Sequence, residues 1–315
     1  MAFDFSHVTV PFRMQPGLRR VAPGSPQLTP AQPGSRHLRE KINALATRAG
    51  RVLLSMPDFD AAPVLAALAG ESMRHGQPAF TRDGHSRWTA PLLAWTVDGN
   101  EVIGSGDAAI GRALAALPAT QRPAGLACLA FEEDFAVIDG ADTTVRWLAV
   151  CLPSRWSPEQ KIGKSFAAVH APVADSALLI AAAEHLARLV TGGDRWERAV
   201  WTISADPHLD QHPARGASGW PVEADADTVA RLARFRHERQ TFIPLTGATQ
   251  AVFTIRVDSE PLADALTTIA DAGRLHDALA SMSAAVLVYR GLTPVRDRLL
   301  DWLARRANGS VATSP

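Results

Sequence analysis

Lysine is almost missing from this 315-residue chain: Lys41, Lys161 and Lys164 are the only three. Arginine therefore carries most of the positive charge, and its planar fork suits carboxylates better than an ammonium does. Lysine and arginine together number 32, against 32 aspartates and glutamates. That balance gives no hint of a nucleic-acid or membrane-surface binder. Cysteine is scarcer still. Cys128 and Cys151 cannot supply the four thiolates of an iron–sulfur cluster, and both lie in apolar runs that suit buried, reduced thiols. No run of about 18 apolar residues is present, so no membrane span is expected. The opening MAFDFSHVTVPFRMQPG lacks a basic stretch followed by an apolar core, so a secretory leader is not expected and the cytoplasm is.

Common catalytic motifs are missing too. Gly163-Lys164-Ser165 has the tail of a phosphate-binding loop, but Pro158 stands where its first glycine belongs. Gly104, Gly106 and Ala109 fit a loose dinucleotide pattern without a clear parallel strand after it, and read as a turn. His237-Glu238 lacks the second histidine of a zincin helix, and no G-x-S-x-G elbow occurs.

What is present gathers between Arg146 and Val190. Trp147 to Leu152 reads as a strand. Ser157, Pro158 and Gln160 then read as a capping box that opens a helix. On that helix Ile162, Phe166, Val169 and His170 share one face at i, i+4, i+7 and i+8, which aims the His170 imidazole inward. Pro172 ends it. Two readings of His170 stand side by side: a hydrogen-bonded core histidine, or a ligand to haem iron. His208 and His212 are spaced to share a metal if helical, although Pro207 and Pro213 favour an exposed loop. Glu132-Glu133-Asp134 is either a solvated turn or a source of a general acid or base. His185 reads as structural.

Along the chain, residues 1–36 read as an extended arm and 37–125 as a mainly helical region. Residues 126–308 read as a sheet-bearing core with C-terminal helices, and 309–315 as a disordered tail. Five strands are expected: Phe135–Asp139, Thr143–Leu152, Ala199–Ser204, Gln250–Asp258 and Ala284–Tyr289. Asp139-Gly140 is a turn signal that makes the first two a hairpin. Helices are expected over Leu178–Val190 and Asp225–Arg239. The hairpin implies antiparallel pairing, hence an α+β class.

Several long segments together resemble the haem-dependent oxidative N-demethylase family. They are CLPSRWSPEQKIG, AAVHAPVAD, RAVWTISADPHLDQHPAR and RFRHERQTFIPLTGATQAVFTIR, with MQPGL near the start. The resemblance implies a PAS-like five-stranded antiparallel sheet with helices around a pocket, making 126–308 a haem-binding core. It implies oxidative N-demethylation of a small secondary or tertiary amine, such as dimethylamine, at histidine-ligated haem b. Dioxygen is consumed, and formaldehyde and a primary amine are released. Electrons would come from a separate flavin and iron–sulfur reductase, or a ferredoxin-type donor, in a possible oligomer or hetero-complex. Carried onto this chain, His170 becomes the axial ligand, with His212 and His208 as alternatives. Arg155, Lys161, Arg215 and Arg239 become partners for the haem propionates, and Trp156, Trp201 and Phe253 become pocket walls. Glu133 and Glu238 become the acidic residues that accept a proton from the substrate ammonium. One departure is Val200, where the family has an asparagine before the Trp of RAVW. The competing class is a haem-holding gas or redox sensor, or a structural subunit of an amine-oxidising complex.

Overall fold

β-Branched and aromatic residues concentrate in a few stretches of this chain, and these are where its backbone extends. In the computed structural model, which describes residues 3–76, 78–216 and 218–310, eleven strands form two antiparallel sheets. The first six are β1 (Arg19–Arg20), β2 (Leu53–Ser55), β3 (Thr81–Asp83), β4 (Arg87–Ala90), β5 (Trp95–Asp98) and β6 (Glu101–Gly104). The longer ones follow: β7 (Asp134–Asp139), β8 (Val145–Ala149), β9 (Trp196–Ser204), β10 (Arg234–Pro244) and β11 (Gln250–Pro261).

Helices fill the intervals. Before the long strands come α1 (Arg36–Val52), α2 (Ala62–Ser72), α3 (Ala108–Ala115) and α4 (Arg122–Ala130). Between β8 and β9 lie α5 (Phe166–His170), α6 (Ala177–Ala181) and α7 (Ala183–Thr191). Then α8 (Ala226–Leu232) precedes β10, and α9 (Leu262–Ala265), α10 (Ile269–Ala280), α11 (Ala284–Tyr289) and α12 (Arg296–Ala307) follow β11.

The large sheet has the order β1-β9-β10-β11-β7-β8-β2. Its five long strands carry it, and β1 and β2 are short additions at the two edges. Residues directly opposite across antiparallel strands share a face, so the register sorts the side chains. Trp196, Arg198 and Val200 of β9 lie opposite Phe242, Gln240 and Glu238 of β10. Phe242 in turn faces Phe253 of β11, which faces Ala136 of β7. The other face presents Phe135, Val137, Trp147, Ala149 and Val252 to Leu126, Cys128 and Leu129 of α4 in one buried cluster. At the β9–β10 end, Trp201, Ile203 and Phe235 pack with Leu275, Leu299 and Trp302 of the C-terminal helices.

Four expectations need correction. Residues 37–125, expected to be mainly helical, hold α2, α3, nearly all of α1 and the first turn of α4, but also the four-stranded meander β3-β4-β5-β6. Its glycines explain the loose dinucleotide match. A Cβ on Gly104 or Gly106 would come within 2.3 Å of the Ala94 carbonyl or 1.9 Å of the Leu93 carbonyl, so closeness to the β5 entrance requires them. The helix expected over Asp225–Arg239 stops at Leu232, where Ala233 turns extended (ψ 134) and β10 begins. Pairing on both sides with β9 and β11 overrides the local helical pattern. The strand expected over Ala284–Tyr289 is α11, capped by Ser283, whose Oγ accepts from Val286 N at 3.2 Å. The long helix expected from Ser157 is broken. Ser157 makes no side-chain cap, a single 3-10 turn covers Pro158–Gln160, and Gly163 takes φ +72 before α5 starts afresh. In the expected tail, residues 311–315 lie outside the described residues.

Candidate functional site

Helix α5 is only five residues long, and neighbouring backbone fixes its place. Val145 N donates to Lys164 O at 2.9 Å, Gly163 N to Val145 O at 2.9 Å, and Phe166 N to Thr143 O at 2.8 Å. Ser165 then caps the helix, its Oγ accepting from Ala168 N at 3.3 Å. Val169 thereby joins Ile162, Trp156 and Phe253 against Ala136 and Leu148 of the sheet. At the far end Lys161 Nζ donates to Val169 O at 2.7 Å, tying the last turn down.

His170 closes this turn. Its ring packs on Phe166 with centroids 4.1 Å apart, and Nδ1 lies 2.8 Å from Phe166 O. A carbonyl only accepts, so Nδ1 carries the proton and Nε2 keeps its lone pair. Nε2 has no hydrogen-bond partner among the described residues. Burial lowers the imidazole pKa to about 4, the Arg198 and Lys161 cations pushing the same way and the Phe166 carbonyl opposing. The ring is therefore neutral at ordinary pH. A neutral imidazole oriented through Nδ1–H to a backbone carbonyl is the usual outer support of a metal-ligating histidine.

The facing strip of sheet is half-buried at Arg198, Val200, Glu238, Gln240 and Phe253, although these residues lie on interior strands. Phe242 and Phe253 stack there at 4.8 Å. Glu238 is held at both oxygens: Ser154 Oγ donates to one and Gln240 Nε2 donates to the other at 2.6 Å. Behind it the fully buried Arg236 donates to Ser154 Oγ at 2.9 Å and to the carbonyls of His208 and Leu209 at 3.1 and 2.8 Å. A small, partly open apolar cavity of about 20 Å³ touches Phe166 and Arg198, with Leu18, Ile138, Leu186 and Phe242 among its walls. It has room for about one water.

One comparison bears on a neutral histidine poised over a half-covered sheet. Residues 100–300 match the family described as haem-dependent oxidative N-demethylase, alpha subunit-like. This chain belongs to that family. The match spans β9, β10 and β11 and includes His170, Lys161, Arg198 and Glu238; Leu18 of the cavity wall lies outside it. No group of three or more His, Cys, Asp or Glu residues that could hold a bare metal ion occurs among the described residues.

Within this family member, the expected site residues divide. Lys161 ties down the turn that carries His170, and Trp156 and Phe253 pack with Val169 of the same turn. Glu238 lies further along the sheet face that holds Arg198. His212 does not join them: Nδ1 accepts from Ala214 N at 3.0 Å, so Nε2 bears the proton that goes to Glu159 at 3.2 Å. Both of its nitrogens are committed. His208 turns its Nδ1 to Asp206 at 2.9 Å on the exposed side of the 206–212 loop. Arg155, at φ +62, spends its guanidinium on Ser204 Oγ at 3.2 Å and the Arg290 carbonyl at 3.3 Å. Arg215 pairs with Asp210 at 3.3 Å.

Three assignments are corrected by the sheet itself. Arg239 projects from the opposite face and forks onto Glu197 at 3.0 and 2.8 Å, with the Pro26 carbonyl as a further partner. Trp201, next along β9 from Val200 and so on its other face, packs with Phe12, Phe235 and Arg290. Glu133 is buried near α1, accepting from Thr29 N at 2.8 Å, and burial raises its pKa.

The expectations omit Arg198, Ser154, Gln240 and Arg236. For Arg198 the signal was available, since the alternation that puts Val200, Thr202 and Ser204 on one face includes it two residues earlier. The other three depend on β10, which reads locally as helix.

Proposed function

We propose that this chain is the haem-binding, N-demethylating subunit of an oxidative amine demethylase. Its five long antiparallel strands and the helices over them would form a PAS-like core for haem b. The observation that carries the reading is His170: neutral, with Nδ1–H given to the Phe166 carbonyl and Nε2 uncommitted. That donor set fits axial ligation of haem iron.

The partly open cavity of about 20 Å³ is far too small for a porphyrin. The reading therefore requires the cofactor to take the half-covered strip of sheet, with α5–α7 standing further off it than they do here. Amide protection in Ala177–Thr191 should then change when haem is added, and an unchanged exchange pattern would count against the seating.

When bound, haem would supply dioxygen activation and the oxidation of an N-methyl carbon. The chain's own residues do the rest. Lys161 holds the Val169 carbonyl and so the angle at which His170 meets the site. Trp156, Phe253 and Phe242 keep water off the reacting region. Glu238, fixed at both oxygens, accepts the proton that a small secondary or tertiary ammonium must lose before its nitrogen lone pair is free. Overall, one methyl group leaves as formaldehyde and the amine leaves with a proton in its place. One atom of dioxygen ends in the formaldehyde, and the other takes two electrons from an external reductase and two protons to leave as water. Val200, opposite Glu238 on this face, stands where the resemblance expects asparagine, so the amine is gripped by Glu238 without that amide.

The test is formaldehyde release from haem-loaded protein given dimethylamine, dioxygen, reductant and a surrogate flavin reductase. Turnover that falls at least roughly tenfold in Glu238→Gln, as expected for loss of a proton acceptor, supports the assignment. Reversible gas binding with no turnover of any methylated amine would replace it with a sensor.

A further inference from the structure

Arg48, Arg234, Arg290 and Arg305 each leave one buried guanidinium nitrogen without a partner but bond through others. Among the described residues Arg198 makes no side-chain hydrogen bond or ion pair at all. Its Nε is buried and has no hydrogen-bond partner among the described residues, and the guanidinium forms no ion pair there. Glu238 acts on it electrostatically, but no hydrogen bond or ion pair joins the two; Glu238 accepts from Ser154 and Gln240 instead.

Other arginines removed from solvent show what is missing. Arg236 donates to Ser154 Oγ and to the carbonyls of residues 152, 208 and 209. Arg290, whose Nε also lacks a partner, still donates through Nη1 to the Trp201 carbonyl and lies on the Phe12 and Trp201 rings. Arg198 is half-buried with one buried nitrogen unpartnered, so its guanidinium is available to a partner that the protein does not itself supply.

Position identifies the kind of partner. Arg198 shares a face with Val200, Gln240 and Glu238, lies close enough to His170 to depress its basicity, and borders the cavity at Phe166. The other cations expected to serve this site are all engaged: Arg155 with Ser204, Lys161 with Val169, Arg215 with Asp210 and Arg239 with Glu197. A planar guanidinium is matched by a planar carboxylate, which it holds through two parallel bonds.

We infer that Arg198 is a carboxylate-binding residue of the His170 site. The carboxylate has two possible sources: the acid side chains of the porphyrin, or an acid group on the substrate. In the second case the preferred amine would be an N-methyl amino acid, whose ammonium meets Glu238 while its carboxylate meets Arg198. This inference rests on the proposed function for its choice of ligands, but its test does not depend on turnover.

Purified wild-type, Arg198→Gln and Arg198→Lys proteins would be titrated with haemin and with its dimethyl ester, which lacks free carboxylates. The same proteins would be titrated calorimetrically with N-methylglycine and dimethylamine. Thermal melts confirm that each variant is folded, and the lysine variant retains the charge. If the cofactor supplies the carboxylate, wild type prefers haemin to the ester by roughly tenfold or more, and Arg198→Gln abolishes that preference. If the substrate supplies it, the two porphyrins bind alike, and preference for N-methylglycine over dimethylamine disappears in Arg198→Gln. The inference is overturned if wild type prefers no carboxylate-bearing probe, or if a preference survives intact in Arg198→Gln. A wild type that takes up no porphyrin sinks the haem reading alone, and the N-methylglycine arm still decides Arg198.

Discussion

The sheet treats buried charge in opposite ways on the side of α1 and under α5. Against α1, the Lys41 ammonium is fully buried, yet it meets Asp134 Oδ1 at 3.1 Å and the Glu133 carbonyl. Asp134 in turn accepts from Leu152 N at 2.6 Å. Under α5, Arg198 has a buried nitrogen with no partner and His170 keeps Nε2 uncommitted. The difference lies in ion pairing: the buried Lys41 cation meets a carboxylate, and Arg198 forms no ion pair among the described residues. An unpaired cation can take a ligand's charge where a paired one cannot, which makes the strip below α5 the candidate site.

Breaking the paired side should have the largest effect. Lys41→Met leaves Asp134 buried without its cation and is expected to cost about 3–5 kcal/mol, read from urea unfolding. A loss below about 1 kcal/mol would mean that this side is not paired as described.

The next contrast is in pH. His170 is lowered to about 4 from an ordinary 6.5, so between those values the unfolded chain binds more protons than the folded one. Stability of the ligand-free protein therefore falls as pH drops from 6.5 to 4. Relative to His170→Asn the extra fall should be on the order of 1–2 kcal/mol for a half-buried ring. Parallel stability curves for the two proteins would contradict the burial of the imidazole.

Smaller still is Arg239→Gln. It removes the fork onto Glu197 on the opposite face, for about 1 kcal/mol, and should leave porphyrin affinity untouched. A lost cofactor would place Arg239 back in the site. Smallest is Arg198→Met, expected to leave the melting temperature of the ligand-free protein unchanged or to raise it slightly, because it removes an uncompensated cation. A clear drop would show that Arg198 has a structural partner after all.

Reading the sequence brought out the α+β class and the antiparallel pairing. Among the expected site residues it brought out the face that carries His170, but not the places of Arg239, Trp201 or Glu133. His170 was legible because Phe166 and Val169 share its helical face, and α5 keeps that spacing even though Gly163 cuts the expected helix short. The β7–β8 hairpin was legible from Asp139-Gly140; a Cβ on Gly140 would fall 2.2 Å from Thr191 Oγ1. The β10 strand was not, because RLARFRHERQ has charges and apolar residues at spacings that serve a helix equally well. Only its two distant neighbours make it a strand. The converse error at Ala284–Tyr289 has the same root: six apolar residues suit either state, and the deciding signal was the modest Ser283 cap. The expected five strands are therefore not the observed set: eleven strands form two sheets, with Arg234–Pro244 added and Ala284–Tyr289 removed. Arg239 and Trp201 went astray for a simpler reason. Which face of a strand a residue takes depends on register, and the register of β10 is set by partners far along the chain.

The most direct measurement is the visible absorption spectrum of the haem-reconstituted protein, taken for wild type, His170→Ala, and His170→Ala with free imidazole. The account predicts a Soret band in wild type, its loss or displacement in the alanine variant, and its return when imidazole fills the vacated position. A band identical in wild type and His170→Ala, or no band in either, would contradict ligation at His170.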